Sequence, residues 1–449
     1  MRHLAMNSLA LRNLIVVLAL IITVLIAPPS KAVEVERVIS PGGIEAWLVR
    51  DHRNPIINLR FAFRGGAALD PNGREGLANL VSSLLDEGAG SLDSKSFQQT
   101  LEDKAIRLGF DAGKDTFGGL LQTLTRNRDE AFQLLNSALT APRFDAEPVD
   151  RIRTQILIGL KQSKEDPHAI ASRTLFKTLF SSHPYGRPTD GTEASVKAIT
   201  IDDMRAFVQR RLAKSNLIVG AVGDITPEYL GKLLDETFGA LPAQAAPWAL
   251  PKIKADTTGK IIVVEKDVPQ SAIIFADQGL KRKDPDYYAA YVMNRILGGG
   301  GFTSRLYAEV REKRGLAYSV YSSLYPFDAS AIMLGGAGTA NARVGETLEV
   351  IADEWRRMAA EGVDDKELSD AKTYLTGAFP LRFSSSGRIA RMLVGMRIAD
   401  LGIDYLQKRN RLIESVNRAD ITRTAKKLLD ANRLTTVVVG KPKGVTSTP

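Results

Sequence analysis

The chain has 449 residues, 44% hydrophobic and 25% charged, proportions of an ordinary globular protein that exclude wholesale disorder and a fibrous repeat. Lys and Arg exceed Asp and Glu by 60 to 51, and removing Arg2, Arg12 and Lys31 with an N-terminal leader leaves 57 against 51, a mild +6 that reads as a solvated mixed-charge surface and not as a nucleic-acid footprint. Cysteine is absent, which rules out disulfides and thiolate metal sites, and His3, His52, His168 and His183 include no pair at the spacing of helical metal ligands.

In chain order, the first element is an address. Arg2 and Arg12 precede the apolar run LIVVLALIITVLIA, residues 14 to 27, and Ser30-Lys31-Ala32 offers a small-x-small cleavage site. Fourteen helical residues span roughly 21 Å, short of a ~30 Å hydrocarbon core, so a secretory signal over residues 1–32 is expected rather than an anchor. In a Gram-negative source the mature chain would be periplasmic. Strands follow at GIEAWLV (43–49) and INLRFAF (57–63). Asp70-Pro71 then leads to GLANLVSSLLDEG (76–88), an amphipathic helix with Leu77, Leu80, Val81, Leu84 and Leu85 on its apolar face. SLDSKSFQQTLEDKAI (91–106) shows capping-type residues before a helix, and DEAFQLLNSAL (129–139) is helical.

A repeat organises the rest. VKAITIDDMRAFVQRRLAKSNLIVGAVGD, from residue 196, aligns without gaps at an offset of 217 with IESVNRADITRTAKKLLDANRLTTVVVGK, from residue 413. Asp203 pairs with Asp420, Met204 with Ile421, Leu212 with Leu429, Val222 with Val439 and Gly223 with Gly440. Each unit reads as an Asp-started helix, a turn and a buried strand ending in Gly. A second match joins ALDPNGREGLANLVSSLLDEG (from 68) to KRKDPDYYAAYVMNRILGGGG (from 281), each preceded by an apolar strand. Two homologous halves are expected, over 33–240 and 261–441, joined by a Pro- and Ala-rich linker at 241–260 and trailed by a flexible tail at 442–449. Strands and helices cluster instead of alternating, which favours α+β sandwich domains over a doubly wound parallel sheet. The glycines 298–301 lack a following Gly-Lys-Ser/Thr and read as a helix stop with close backbone approach, not a phosphate loop.

The duplicated halves, HPYG at 183–186 and LGGGGFTSRLYAEVREKRGLAYSVYS at 297–322 together resemble the pitrilysin/insulinase family of zinc peptidases. The likeness is greatest to its short, bacterial, processing-peptidase-like branch and runs from about residue 34 to 441. It implies a clam-shell of two α+β sandwich halves. In that family the first half usually carries GxxHxxEHxxxxG, whose histidines hold zinc and whose glutamate activates water, with a distal glutamate completing the site. On that pattern Asn79 stands for the first histidine, Ser82 for the catalytic glutamate and Ser83 for the second histidine. The distal position, placed from Glu165-Asp166-Pro167, falls at Ile158 or Gly159. None is a competent zinc ligand, and Asp86 and Glu87, adjacent on a helix, point in different directions. No metal or other cofactor is therefore expected in this chain.

The second half departs less. Arg311 and Tyr318 match the family's paired arginine and tyrosine, which the resemblance assigns to holding the substrate backbone and hydrogen-bonding the developing oxyanion. His183, without a candidate catalytic partner, reads as structural. The pattern of loss and retention implies the non-zinc subunit of a split peptidase, inactive alone. Its expected partner is an HxxEH-bearing homologue, in a heterodimer or larger assembly, and its expected substrate an extended peptide. The alternative is a catalytically inactive peptide-binding, chaperone-like or scaffolding protein with the same shell. An autonomous hydrolase has no cysteine, histidine pair or G-x-S-x-G elbow to work with. No nucleic-acid partner is expected, and a membrane only through an uncleaved leader.

Overall fold

The computed structural model describes residues 34–448, so the expected leader lies outside the described residues. No helix among the described residues is long and apolar enough to cross a membrane. The strands form two sheets. The first contains β1 Glu36–Ile39, β2 Glu45–Arg50, β3 Ile56–Arg64, β4 Arg107–Ala112, β5 Thr116–Leu124 and β6 Leu217–Gly223, in the order β1-β2-β6-β3-β5-β4. The second contains β7 Ile261–Glu265, β8 Gln270–Gln278, β9 Ala317–Tyr325, β10 Ile332–Ala340 and β11 Thr435–Gly440, in the order β7-β11-β8-β10-β9. Setting β1 aside, the two orders are the same. Each half inserts its last strand beside its first as the one parallel pair, β2 with β6 and β7 with β11, and every other pairing is antiparallel.

The repeat holds at the level of caps. Thr200 and Asn417 are N-caps of the helices Ile201–Arg211 and Arg418–Leu428, with Asp203 and Asp420 at N3 completing a capping box in each. The aspartates therefore sit one turn inside the helix and do not start it. Gly223 and Gly440 both have positive φ, 146° and 157°. A Cβ on Gly223 would strike the Ile56 carbonyl, which explains why both strands end in glycine.

One face of each sheet carries helices of its own half. Ile57, Leu59, Phe61 and Phe63 alternate along β3 into the first core, where Phe61 meets Phe238 edge-on at 5.8 Å. In the second core Phe275 on β8 meets Trp355 of the helix Val344–Glu361 at 5.4 Å.

The opposite faces are covered by exchange. The helix Pro167–Leu179, from the first half, lies on β8 and β11 of the second sheet and buries Ala171, Leu175 and Leu179 against Ile274, Val437 and Val439. The helix Ser386–Ile398, from the second half, lies on β3 and β6 of the first sheet, where Val394 packs on Ala62 and Ile218. Gly220 on β6 lets this helix sit close: a Cβ there would lie 2.9 Å from the Leu393 Cβ and 3.1 Å from the Ala390 carbonyl. Arg397 and Arg64 tie the same contact, Arg397 donating to the Glu45 and Val219 carbonyls and Arg64 to those of Arg397 and Ile398.

Residues 241–260 form no regular element but are hydrogen-bonded along their length, first to the first half, where Lys214 N donates to Pro242 O and Ala246 N to Arg210 O. Ile253 N donates to Ala329 O and Asp256 N to Leu179 O. Ser447 and Thr448, in the stretch expected to be a flexible tail, hydrogen-bond to the outer edge of β7 at Val263 and Ile261. Among the described residues no strand pairs with the outer edge of β4 or β9, and on β9 the Ser322 carbonyl accepts from Asn294 Nδ2.

Candidate functional site

The stretch 76–88 is helical only over Leu77–Ser82 and continues as turns. All five expected apolar residues, Leu77, Leu80, Val81, Leu84 and Leu85, are buried. Asp70 fastens the entry, its carboxylate accepting from the Gly76 and Ala78 amides. Burial raises the Asp70 pKa to about 7 despite these bonds. The residues at the family's metal positions turn inward on their own backbone. Ser82 Oγ and Ser83 Oγ both donate to the Asn79 carbonyl, at 2.8 and 3.1 Å, and that carbonyl also takes the Ser83 amide. Ser82 is 5% exposed. Hydroxyls bonding to i−3 and i−4 carbonyls loosen a helix, which accounts for its early end.

These residues do not fit a zinc ion. The donors are hydroxyls already committed and one amide, where a catalytic site needs about three N, S or carboxylate ligands. Asp86 and Glu87, expected on the helix, lie in the turns that follow it. Glu87 is held by Arg151 at 2.7 Å and Ser94 at 2.5 Å, whereas burial raises the Asp86 pKa to about 6. Ile158, 52% exposed, and Gly159 lie on the outer side of the helix Ala146–Ser163. Among the described residues no cluster of three His, Asp or Glu side chains could hold a metal.

Arg311 and Tyr318 come together. Arg311 lies in the π-helical turn Tyr307–Glu312, and Gly315, with φ 59°, reverses the chain into β9. The Gly315 and Leu316 amides close the Arg311 and Val310 carbonyls, as a left-handed glycine at a helix end commonly does. The Arg311 guanidinium stands 4.4 Å from the centroid of the Tyr318 ring and 4.9 Å from that of Tyr307. Tyr318 is 79% exposed. Its direction comes from a feature that the sequence reading missed. Ala317 pairs with Thr339 and Val320 with Ala337, so Tyr318 and Ser319 together oppose Gly338 in a β-bulge. The extra residue keeps Ala317 and Val320 in the core while Tyr318 and Tyr321 stay exposed. A gap in the period-2 pattern of AYSVYSSLY, with apolar residues three apart, was the available signal.

The glycine run is a site of close approach. Residues 295–299 form a second π-helical turn against β9, and a Cβ on Gly298 would lie 2.8 Å from the Ser322 amide. His183 is structural: its Nδ1 accepts from the Tyr185 amide, so Nε2 carries the proton donated to the Pro251 carbonyl at 2.9 Å. Asp166 caps the helix Pro167–Leu179, accepting from the His168 amide, and Asp93 caps Ser94–Asp103 by accepting from Ser96.

An exposed phenol beside a guanidinium can donate to an oxyanion and hold a peptide carbonyl. The pair therefore offers hydrogen-bond donors, and among the described residues no group of three His, Asp or Glu side chains could add a metal to them.

Comparison with known proteins agrees on the fold. Residues 46–193 match the family described as insulinase (peptidase family M16), and residues 198–375 the peptidase M16 inactive domain. The chain is 28% identical over 394 residues to the non-peptidase homolog YmxG of Helicobacter pylori, covering 88% of this chain and 91% of that protein. The structure of a peptidase M16 inactive domain from Pseudomonas fluorescens superposes with a TM-score of 0.84 at 30% identity, covering 93% of this chain and 99% of that one. A protease from Helicobacter pylori, at 19% identity and a TM-score of 0.82, shares the fold over 90% of this chain and 99% of its own. With both models matching along the chain, it belongs to the insulinase (M16) peptidase family, with Asn79, Ser82 and Ser83, none of them a competent zinc ligand, at the positions where the resemblance places that family's metal and base.

Proposed function

We propose that this chain is the non-zinc subunit of a heteromeric, exported zinc peptidase, in which Arg311 and Tyr318 serve the metal site of an HxxEH-bearing partner. The observation that carries the reading is the contrast between the two halves. The serines at the metal positions are spent on the Asn79 carbonyl, whereas Tyr318 is held exposed by a bulge, with Arg311 against its ring. Zinc, water and the glutamate base would come from the partner. This chain would bind an extended peptide with Arg311 on a backbone carbonyl and present the Tyr318 hydroxyl where negative charge develops. Export to the periplasm of a Gram-negative host belongs to the same reading and rests on the leader in the sequence.

Native pull-down of the mature chain from its host tests the assembly, with capture of an HxxEH homologue at roughly one to one and zinc tracking that homologue as the expected result. In the assembled complex Tyr318→Phe should lower turnover tenfold or more, since removing one oxyanion donor typically costs about 10²–10³ in kcat. Unchanged kinetics would sink the oxyanion role. A second reading, a peptide-holding shell without a catalytic partner, is favoured by the name non-peptidase homolog given to the relative from Helicobacter pylori. Recovery of the chain alone and zinc-free would support it.

A further inference from the structure

Arginines in the second half divide into two kinds. Arg305, Arg357 and Arg423 are held by the carboxylates of Glu367, Glu354 and Asp286. A second group has aromatic or hydroxyl neighbours and no ion pair with a described carboxylate. Between the helices Asp365–Gly377, Ser386–Ile398 and Tyr405–Glu414 lies a cleft of about 570 Å³ lined by Arg382, Arg388, Arg391 and Arg409 together with Tyr374 and Phe379. No carboxylate lines it. Arg409, 5% exposed, stacks on Phe379 at 3.9 Å, and Arg295 stacks on Tyr374 at 3.7 Å. Stacking fixes a guanidinium without neutralising its charge. Arg409 Nη1 is spent on the Leu375 carbonyl and Asn410 Oδ1, and Arg295 donates to the Gly299 carbonyl and Thr303, so both act through their charge, and the exposed Arg388 and Arg391 are the ones placed to meet an anion directly.

This field extends beyond the cleft in both directions. Arg391 belongs to the exchanged helix that lies over β3, and it bears on Arg60 of that strand. Burial first, and then the Arg391 charge, push the Arg60 guanidinium below its ordinary value; Asp111 opposes this and Arg107 of β4 adds to it. On the other side Arg295 reaches Thr303 at 3.1 Å, one residue from Phe302, whose ring lies 5.9 Å from the Arg311 guanidinium. A band of arginines without an ion-paired carboxylate thus runs from β3 through the cleft to the Arg311–Tyr318 pair and β9, with which no described strand pairs on the outer side.

We infer that this band binds an extended acidic peptide, with its carboxylates on the cleft arginines and its main chain toward the end of β9 beside Tyr318, where no described strand pairs; the inference rests on the subunit reading only in naming this peptide as the substrate. A peptide is favoured over a nucleic acid by the unpaired strand edge, which matches a polypeptide main chain, and by the mild net charge of the whole chain.

The test uses the mature full chain and fluorescein-labelled peptides of about ten residues, ~33 Å when extended. One is rich in glutamate, one rich in lysine and one uncharged, with a single-stranded oligonucleotide of the same net charge as the first, all followed by fluorescence anisotropy. The glutamate-rich peptide should bind at least tenfold tighter than either other peptide. Raising salt from about 50 to about 300 mM should weaken it several-fold. The double variant Arg388→Glu/Arg391→Glu should weaken it tenfold or more, with Arg388→Gln/Arg391→Gln giving a smaller loss and standing in if the reversal does not fold. Equal binding of the three peptides, tighter binding of the oligonucleotide, or insensitivity to both double variants overturns the inference. Loss of peptide binding with an HxxEH partner still captured overturns the groove alone, and binding with no partner captured overturns the subunit reading alone.

Discussion

Glycine to alanine at two neighbouring places should have opposite signs. Gly220 lies on β6 beneath the exchanged helix Ser386–Ile398, and Gly395 lies within that helix on its exposed side. An added Cβ at Gly220 meets the Leu393 Cβ at 2.9 Å, the Ala390 carbonyl at 3.1 Å and Val394 Cγ2 at 3.3 Å. Both carbon contacts are shorter than the roughly 3.5–4.0 Å optimum for carbon pairs. Two of the three atoms, a Cβ and a carbonyl oxygen, are fixed to the helix backbone, so no side-chain rotation relieves them and the helix itself must lift. Overpacking of this kind costs about 1–3 kcal/mol, more than the ~0.4–1 kcal/mol that alanine returns by restricting the unfolded chain. At Gly395 nothing lies within 4 Å, and the same substitution removes a helix-interior glycine for a gain of about 0.5–1 kcal/mol. Urea unfolding followed by far-UV circular dichroism should show a lower midpoint for Gly220→Ala and a higher one for Gly395→Ala, with unchanged slopes. A midpoint for Gly220→Ala at or above wild type would refute the close docking of this helix on the first sheet.

Other perturbations address the remaining features. His183→Ala should cost about 1–3 kcal/mol, because it orphans the Tyr185 amide and the Pro251 carbonyl; if the assembled complex also lost turnover with its fold intact, the structural role would be wrong. Thr200→Ala and Asn417→Ala remove equivalent caps and should each cost about 0.5–2 kcal/mol, adding in the double variant as well-separated sites do. Asp70 has its folded pKa raised to about 7 by burial, so between its unfolded value near 4 and about 7 the native state binds the extra proton. Its contribution then falls as pH rises through that window, and Asp70→Asn should flatten the decline in a series of unfolding curves from pH 4 to 8. An unchanged slope would show Asp70 to be ionised throughout.

The repeat was legible because each unit carries its own punctuation, a capping box at one end and a positive-φ glycine at the other, and such local signals survive in a single sequence. The empty metal positions were legible from residue type alone, since no packing turns Asn79, Ser82 and Ser83 into zinc ligands. The exchange of helices was not foreseen, because the partners Val394 and Ile218 lie far apart in the chain and nothing local links them. Its trace was nevertheless present: LIVGAVG on β6 is apolar on both faces, the mark of a strand covered on both sides. The shortened helix at 77–82 was missed for a different reason. Periodicity reports which residues face the core, and all five did, but not whether neighbouring hydroxyls compete for the carbonyls that would extend the helix.

The exchange also bears on how the molecule can move and how it comes apart. Two lobes joined by one strap can swing about that strap, and cutting it frees them. Here each lobe lends the other a helix, so a single proteolytic cut within 241–260 leaves both interlocks in place. The nicked chain should migrate as one species until denatured. Any opening must slide the helices Pro167–Leu179 and Ser386–Ile398 along the sheets that hold them, a shear between packed layers instead of a swing, so movement of the second half is coupled to movement at β3 and β6 of the first sheet.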